Sequence, residues 1–337
     1  MTESQPTLQT ARHKTQKVSI QKRSVRVGGF IVVNGYRVNR TLLKERFALG
    51  GYQIHETPHF LLFQRLEAPS TILVHWFASE EIDTDVSHYL VQELKPFGVI
   101  ASNQHLSELL TGIVGGTLYP DDVRRAWNYF GVNTLQRLLT FLSTAGTPSL
   151  KDYGTLSASA TLYQRVCELC VGEYFLDAAC NGGFLSLLLA ERLPFVAKAV
   201  GIDIDPNVFV VAQKLAEERH LNNVQYLQAD LLAEDFDQIG RFDTVTALHV
   251  IEHFSEEDMY RVLANLLRVT SHRLILAVPY EHEHDQPQEP EVAYGHRQFF
   301  SRPKLEAVGE WCLQQLQGAG RIWYEDFIGG LLLIERR

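Results

Sequence analysis

Four stretches of this chain carry residues whose types and spacing suit one chemistry, the holding of a nucleoside. Asp177-Ala178-Ala179-Cys180-Asn181-Gly182-Gly183-Phe184 follows an apolar run with a series of small residues. A small-residue turn from a strand into a helix lets a ligand lie against the backbone and offers it helix N–H groups. Asp203 ends the next apolar run, about 20 residues further on, where a carboxylate can accept both hydroxyls of a ribose. Gln228-Ala229-Asp230 follows a third run, and its carboxylate can take an adenine amino proton. Leu248-His249-Val250-Ile251-Glu252-His253-Phe254 follows a fourth. Each signal alone is weak, since an Asp after a strand is usually a turn residue. All four in order, one per strand end, point to a nucleoside site.

The elements that must position these residues alternate. Strands are expected at 174–177, 199–203, 224–227, 242–248 and 273–278, with helices at 184–192 and 207–220 between them. Ser255 with Asp258 three residues on is a capping-box pattern, and Met259, Val262, Leu263 and Leu266 form the apolar stripe of the helix it starts. Repeated βα units of this length imply a parallel sheet covered on both faces, with ligands beyond the carboxyl ends of its strands. The first half reads differently. Residues 25–38 contain Asn34-Gly35 between β-formers, a hairpin signal. Strand-like runs follow at 60–63 and 71–77. From Asp85 the spacing turns helical, with Gly115-Gly116 expected to end one helix and another expected over 121–142. Gly146-Thr147-Pro148-Ser149 is the best linker. The expected organisation is a flexible basic arm over 1–25, an accessory domain over 26–148 that is β-rich and then helical, and a third unit over 149–337.

Charge separates the same halves. The chain has 337 residues and a net charge of −9. Residues 1–150 hold 15 basic and 12 acidic side chains, and residues 151–337 hold 16 and 28. A nucleic-acid partner is not expected of so acidic a second half. No apolar run approaches the roughly 20 residues of a membrane span. Four cysteines in this length make no disulfide scaffold, and a reducing, cytoplasmic setting is expected. Cys167 and Cys170 form a single pair, where a zinc site would need two further ligands. His249, Glu252, His253 and His296 could approach one another around a divalent ion, but no spacing among them is diagnostic, so no metal is expected.

The order of the four stretches resembles that of the class I S-adenosylmethionine-dependent methyltransferases. The resemblance covers about residues 150–337. It implies an α/β fold, a Rossmann-like doubly wound sheet, here preceded by a smaller α+β N-terminal domain. Asp177 through Gly183, with Ala179, Asn181 and Gly183 at the loop's glycine positions, would hold the methionine end of the cofactor. Asp203 would hold the ribose and Asp230 the adenine, with Ile204 and Leu231 flanking the ring and His249 placing its backbone near the cofactor. The family usually has three glycines in the first loop, and here only Gly183 is kept. Ala adds one methyl group, and Asn is the non-glycine residue best able to take a positive φ.

Ala277-Val278-Pro279-Tyr280-Glu281-His282-Glu283, Ala293-Tyr294-Gly295-His296-Arg297-Gln298-Phe299 and Glu325-Asp326-Phe327-Ile328-Gly329-Gly330-Leu331-Leu332-Leu333 narrow the likeness. With the His249–His253 stretch they resemble the mycofactocin oligosaccharide methyltransferases, which implies O-methylation of a glucose unit in a sugar chain. Methyl transfer is an in-line displacement in which positioning supplies much of the acceleration. An alcohol acceptor has a high pKa, so a general base helps as its proton leaves. The catalytic candidates are His296, His253 and Glu252, with His296 preferred as base because its loop should cap the acceptor. An acceptor of quinone-like or other hydroxylated metabolite type, and a non-catalytic cofactor-binding protein, are the alternatives.

Overall fold

Glycine and asparagine decide where the N-terminal chain turns. The computed structural model describes residues 24–36, 38–65, 70–144, 155–280 and 296–337. Nearly all of the expected arm, the linker at 146–149 and the expected 148/149 boundary therefore lie outside the described residues. Strands β1 (Ser24–Val27) and β2 (Phe30–Asn34) form an antiparallel hairpin whose turn is Gly28-Gly29, with Gly28 at φ +50°. The hairpin signal at Asn34-Gly35 is thus misplaced. Asn34 instead accepts the Tyr36 N–H on its own side chain at 2.8 Å, turning the chain out of the sheet. Helix α1 (Arg40–Leu49) follows, capped by Asn39, which accepts from the Leu42 N–H. Strands β3 (Gln53–Glu56), β4 (Phe60–Gln64) and β5 (Thr71–His75) complete a five-stranded sheet of order β1-β2-β5-β4-β3.

Helices α2 (Asp85–Leu94), α3 (Asn103–Thr117) and α4 (Val123–Thr144) come next. Leu62, Leu73, Leu90, Leu109 and Ile113 form a buried core between this sheet and its helices. Gly115-Gly116 does not end α3. A Cβ at Gly116 would stand 3.1 Å from Val25, and one at Gly112 would stand 2.6 Å from Val32. These glycines let the helix lie close on the sheet.

The second sheet has seven strands. Helix α5 (Leu156–Leu169) leads into β6 (Tyr174–Ala178), α6 (Phe184–Arg192), β7 (Lys198–Asp203), α7 (Val210–Glu218) and β8 (Val224–Gln228). Then come β9 (Phe242–Leu248), α8 (Glu256–Val269), β10 (Thr270–Val278), α9 (Arg302–Gln315), β11 (Gly320–Asp326) and β12 (Gly330–Arg336). The order is β11-β12-β10-β9-β6-β7-β8. The pairs β10–β9, β9–β6, β6–β7 and β7–β8 are parallel as the βα alternation predicts, and β12 begins an antiparallel edge, pairing with both β10 and β11. Ser255 caps α8 as its pattern predicts, and Met259, Val262, Leu263 and Leu266 are fully buried under it. The two sheets meet through α4, which packs on α5 and α7, and the Leu156 N–H donates to Asp85 at 2.7 Å. Among the described residues no helix is long and apolar enough to cross a membrane.

Candidate functional site at the strand ends

The loop after β6 is built from positive φ angles. Ala179 stands at +54°, Asn181 at +46° and Gly183 at +71°. A left-handed residue with a side chain costs roughly 1–2 kcal/mol, so surrounding bonds must hold the loop. The Cys180 N–H donates to Ile202 O at 2.7 Å and the Gly183 N–H to Cys180 O at 2.9 Å. Tyr226 donates its hydroxyl to Gly183 O at 2.8 Å. A Cβ at Gly183 would meet the Tyr226 ring at 2.5 Å, so this position needs glycine for space as well as for φ.

Asp203 ties the loop to the end of β7. One of its carboxylate oxygens accepts the Asn181 N–H at 3.0 Å, and the other accepts the Asp205 N–H at 3.1 Å. Each keeps a lone pair for a ligand. Asp177 lies beneath, 5% exposed, accepting the hydroxyls of Thr246 at 3.1 Å and Ser186 at 3.2 Å. Burial pushes its carboxyl up to about 7, against the pull of those two bonds. Sequence reading missed Tyr226, Ser186 and Thr246. Only the register, which sets Asp177 beside Thr246, brings the last one in.

Beyond β7 and β8, Ile204 is 65% exposed, an apolar face open for cover. Asp230 is exposed and accepts the Leu232 N–H at 2.9 Å, so it also holds its own turn. Leu231 is only 6% exposed and belongs to the core, so it offers a ring beside Ile204 little surface.

The turn after β9 bears the histidines. His249 takes φ +55°, its N–H bonded to Ala277 O at 2.9 Å. Its Nδ1 lies 3.6 Å from Glu252 Oε1. The Glu252 carbonyl accepts the N–H groups of Arg297 at 2.8 Å and Gln298 at 3.1 Å. Those bonds bring His296 to the turn, and its ring meets that of His253 edge-on at 4.9 Å between centroids. His253 is exposed, whereas His296 is 7% exposed and Glu252 not exposed at all. Tyr294, Gly295 and the acid-rich segment 281–291 lie outside the described residues.

One cavity of about 570 Å³ adjoins the first loop. Asn181 and Gly182 line it together with Arg124, Trp127 and Asn128 of α4. Of the residues expected to bind the cofactor, it includes Asn181 and Gly182 but not Ala179, Gly183, Asp203 or Asp230. The CxxC thiols are buried or half-buried and free, with burial pushing Cys167 up to about 11.

Residues 175–273 match the family model of the methyltransferase domain. A ubiquinone biosynthesis O-methyltransferase of Albidiferax ferrireducens is 33% identical over 98 residues, which is 29% of this chain and 38% of that protein. Its namesake from Azorhizobium caulinodans is 40% identical over 90 residues, 26% of this chain and 33% of that one. The chain thus spans little more than a third of the length of these relatives. An O-methyltransferase family protein of Burkholderia thailandensis aligns at a TM-score of 0.47 with 15% identity, over 88% of this chain and 83% of its own. The second sheet is a methyltransferase domain with the Rossmann-like fold of class I. That class takes S-adenosylmethionine.

Proposed function

We propose that the chain is an S-adenosylmethionine-dependent O-methyltransferase acting on a saccharide hydroxyl of the mycofactocin oligosaccharide type. The observation that carries the methyl-transfer reading is the first loop: three left-handed positions in alternation, locked by the Asp203 carboxylate on the Asn181 N–H. Its residues fit the nucleoside group, because Asp203 keeps acceptor capacity and Ile204 leaves an apolar face uncovered. The saccharide acceptor is supported by the family resemblance of the stretches around His249–His253, 277–283 and 293–299.

When bound, S-adenosylmethionine supplies a sulfonium methyl group to an attacking oxygen. In this reading Asp177, Ala179, Asn181 and Gly183 shape the methionine end, Asp203 holds the ribose, and Asp230 with Ile204 holds the adenine. His249 bounds the cofactor through its backbone. Glu252, His253 and His296 serve the acceptor, with His296 taking the hydroxyl proton. The N-terminal region selects the acceptor, since α4 and the first loop line one cavity. A quinone-like acceptor is the second reading. It is favoured by the ubiquinone-biosynthesis activity of the relatives and by the apolar side chains of Trp127, Phe130, Leu138 and Val211 in that cavity.

The test is to incubate the protein with methyl-labelled S-adenosylmethionine and extracts containing either acceptor class. Mass spectrometry should find label in a sugar hydroxyl. Label in a quinone alone would select the second reading, and label in nothing would leave a non-catalytic cofactor binder.

A further inference from the structure

We propose that a second cavity, of about 270 Å³ in the N-terminal region, binds one neutral pyranose ring whose hydroxyls are equatorial. The ring it holds is a unit of the acceptor that does not react. That role, though not the binding, rests on the saccharide reading above. The cavity shares no lining residue with the larger one at the first loop. Its volume lies just under the range of about 300–1,000 Å³ usual for small-molecule sites, so it admits one ring rather than a chain.

One wall is aromatic. The rings of His59 and Tyr89 stack at 4.1 Å between centroids and 13° between planes. Phe77 lies nearly parallel to both, at 5.5 and 6.2 Å. The Glu93 carboxylate holds the His59 ring and also accepts the His59 backbone N–H at 3.0 Å. A pyranose with equatorial hydroxyls has two flat faces of C–H bonds, and such a face packs well on aromatic rings.

The remaining wall is polar and balanced in charge. Arg40 and Arg137 bring two guanidinium groups, and Glu81 and Asp83 bring two carboxylates. Neither arginine forms an ion pair among the described residues. Arg40 lies over the Trp76 ring at 4.1 Å and uses one N–H on Pro58 O at 3.3 Å, and Arg137 lies over the Phe141 ring at 5.1 Å. Asp83 is 4% exposed and accepts the Asp85 N–H at 2.9 Å. Burial, with Asp85 beside it, pushes its carboxyl up to about 6, so a further donor would relieve it. One Glu81 oxygen accepts the Ala78 N–H at 2.8 Å, which leaves the other for a ligand. An anion here would face two carboxylates, and a cation two guanidinium groups. A hydroxyl both donates and accepts, so neighbouring hydroxyls of one ring suit a wall of both kinds. These side chains are fixed by their own contacts before a ligand arrives, which lowers the ordering cost of binding.

The two cavities are neighbours. Asp83 lines this one and Thr84 the one at the first loop, and on α4 Arg137 lines this one while Thr134 and Leu138 line the other. The Thr84 N–H donates to the Thr134 hydroxyl at 3.2 Å, tying the shared wall together. A saccharide anchored here keeps its other units beside the first loop, and binding energy from the remote unit serves the transfer.

The experiment titrates the full chain with glucose, cellotriose and inorganic phosphate, by calorimetry and by saturation-transfer NMR of the sugar protons. Both sugars should bind, one per chain. Arg137→Ala, on an exposed side chain, and Tyr89→Leu, which removes the ring stack, should each weaken that binding by about tenfold or more. Circular dichroism checks the fold of each variant, and S-adenosylhomocysteine affinity should not change in either. No saturable binding of either sugar by the wild type, phosphate binding in their place, or equal sugar binding by both variants overturns the site. Sugar binding that both substitutions weaken, in a chain that binds no S-adenosylhomocysteine, would support the site and overturn the methyl-transfer reading.

Discussion

Between Asp177 and Gly183 three left-handed positions fall within one short loop pinned by the neighbouring β7 and β8, whereas Glu252 and His296 are brought together by two N–H groups far along the chain that bond the Glu252 carbonyl. In the proposed reading the cofactor end of the cleft is made by backbone conformation, and the acceptor end by side chains from separate segments. Changes at the first should therefore alter nucleoside affinity and stability, and changes at the second should alter turnover.

The largest effect is expected at the acceptor end. His296→Ala should lower turnover by roughly 10²–10⁴-fold, the size expected where its imidazole takes the hydroxyl proton. Nucleoside affinity should stay within about twofold by calorimetry. Equal losses of both would break the division between the ends.

This asymmetry also explains what could be read in advance. The first loop, Asp203, Asp230 and the Ser255 cap are local patterns, and the positive φ at Ala179 and Asn181 appears at the positions where glycines were missed. The burial of Glu252 has no local signature, because it depends on the return of residues 296–298. Leu231 looked like a ring neighbour by its place in the chain, yet α8 covers its turn: Asn265 donates to the Leu231 carbonyl at 2.7 Å. Asn34-Gly35 carried the stronger turn signal, but the Asn34 side chain captured the Tyr36 N–H and Gly28-Gly29 made the hairpin. The antiparallel β12 depends on pairing with β10, which alternation of βα units does not encode.

Asp177 gives the next effect, on stability. Burial holds its carboxyl up at about 7, well above the ordinary carboxylate range, so between the two the folded protein keeps a proton there that the unfolded chain has lost. Stability should fall as pH rises through that window, by on the order of a few kcal/mol. Asp177→Asn should flatten the dependence, checked by urea unfolding at about pH 5 and pH 8. An equally steep loss in the variant would assign it to another group.

Asp203→Ala should weaken nucleoside binding by about 1.5–3 kcal/mol, since it removes both a ligand acceptor and the anchor of the Asn181 N–H. Titration calorimetry against the wild type measures it. The smallest effect is expected at Ala179. Ala179→Gly relieves about 1–2 kcal/mol of left-handed strain and adds about 0.5–1 of unfolded-state entropy. A net gain of about 0.5–1 kcal/mol should appear as a modest rise in Tm. A fall in Tm would mean that the methyl group at Ala179 packs usefully, which would sharpen why glycine is absent there.

Calorimetric titration of the wild-type chain with S-adenosylhomocysteine, with Asp203→Ala alongside, tests the central claim most directly. Saturable one-to-one binding that the substitution weakens is the predicted result. No heat and no thermal shift with either that nucleoside or S-adenosylmethionine would contradict the assignment of the strand ends.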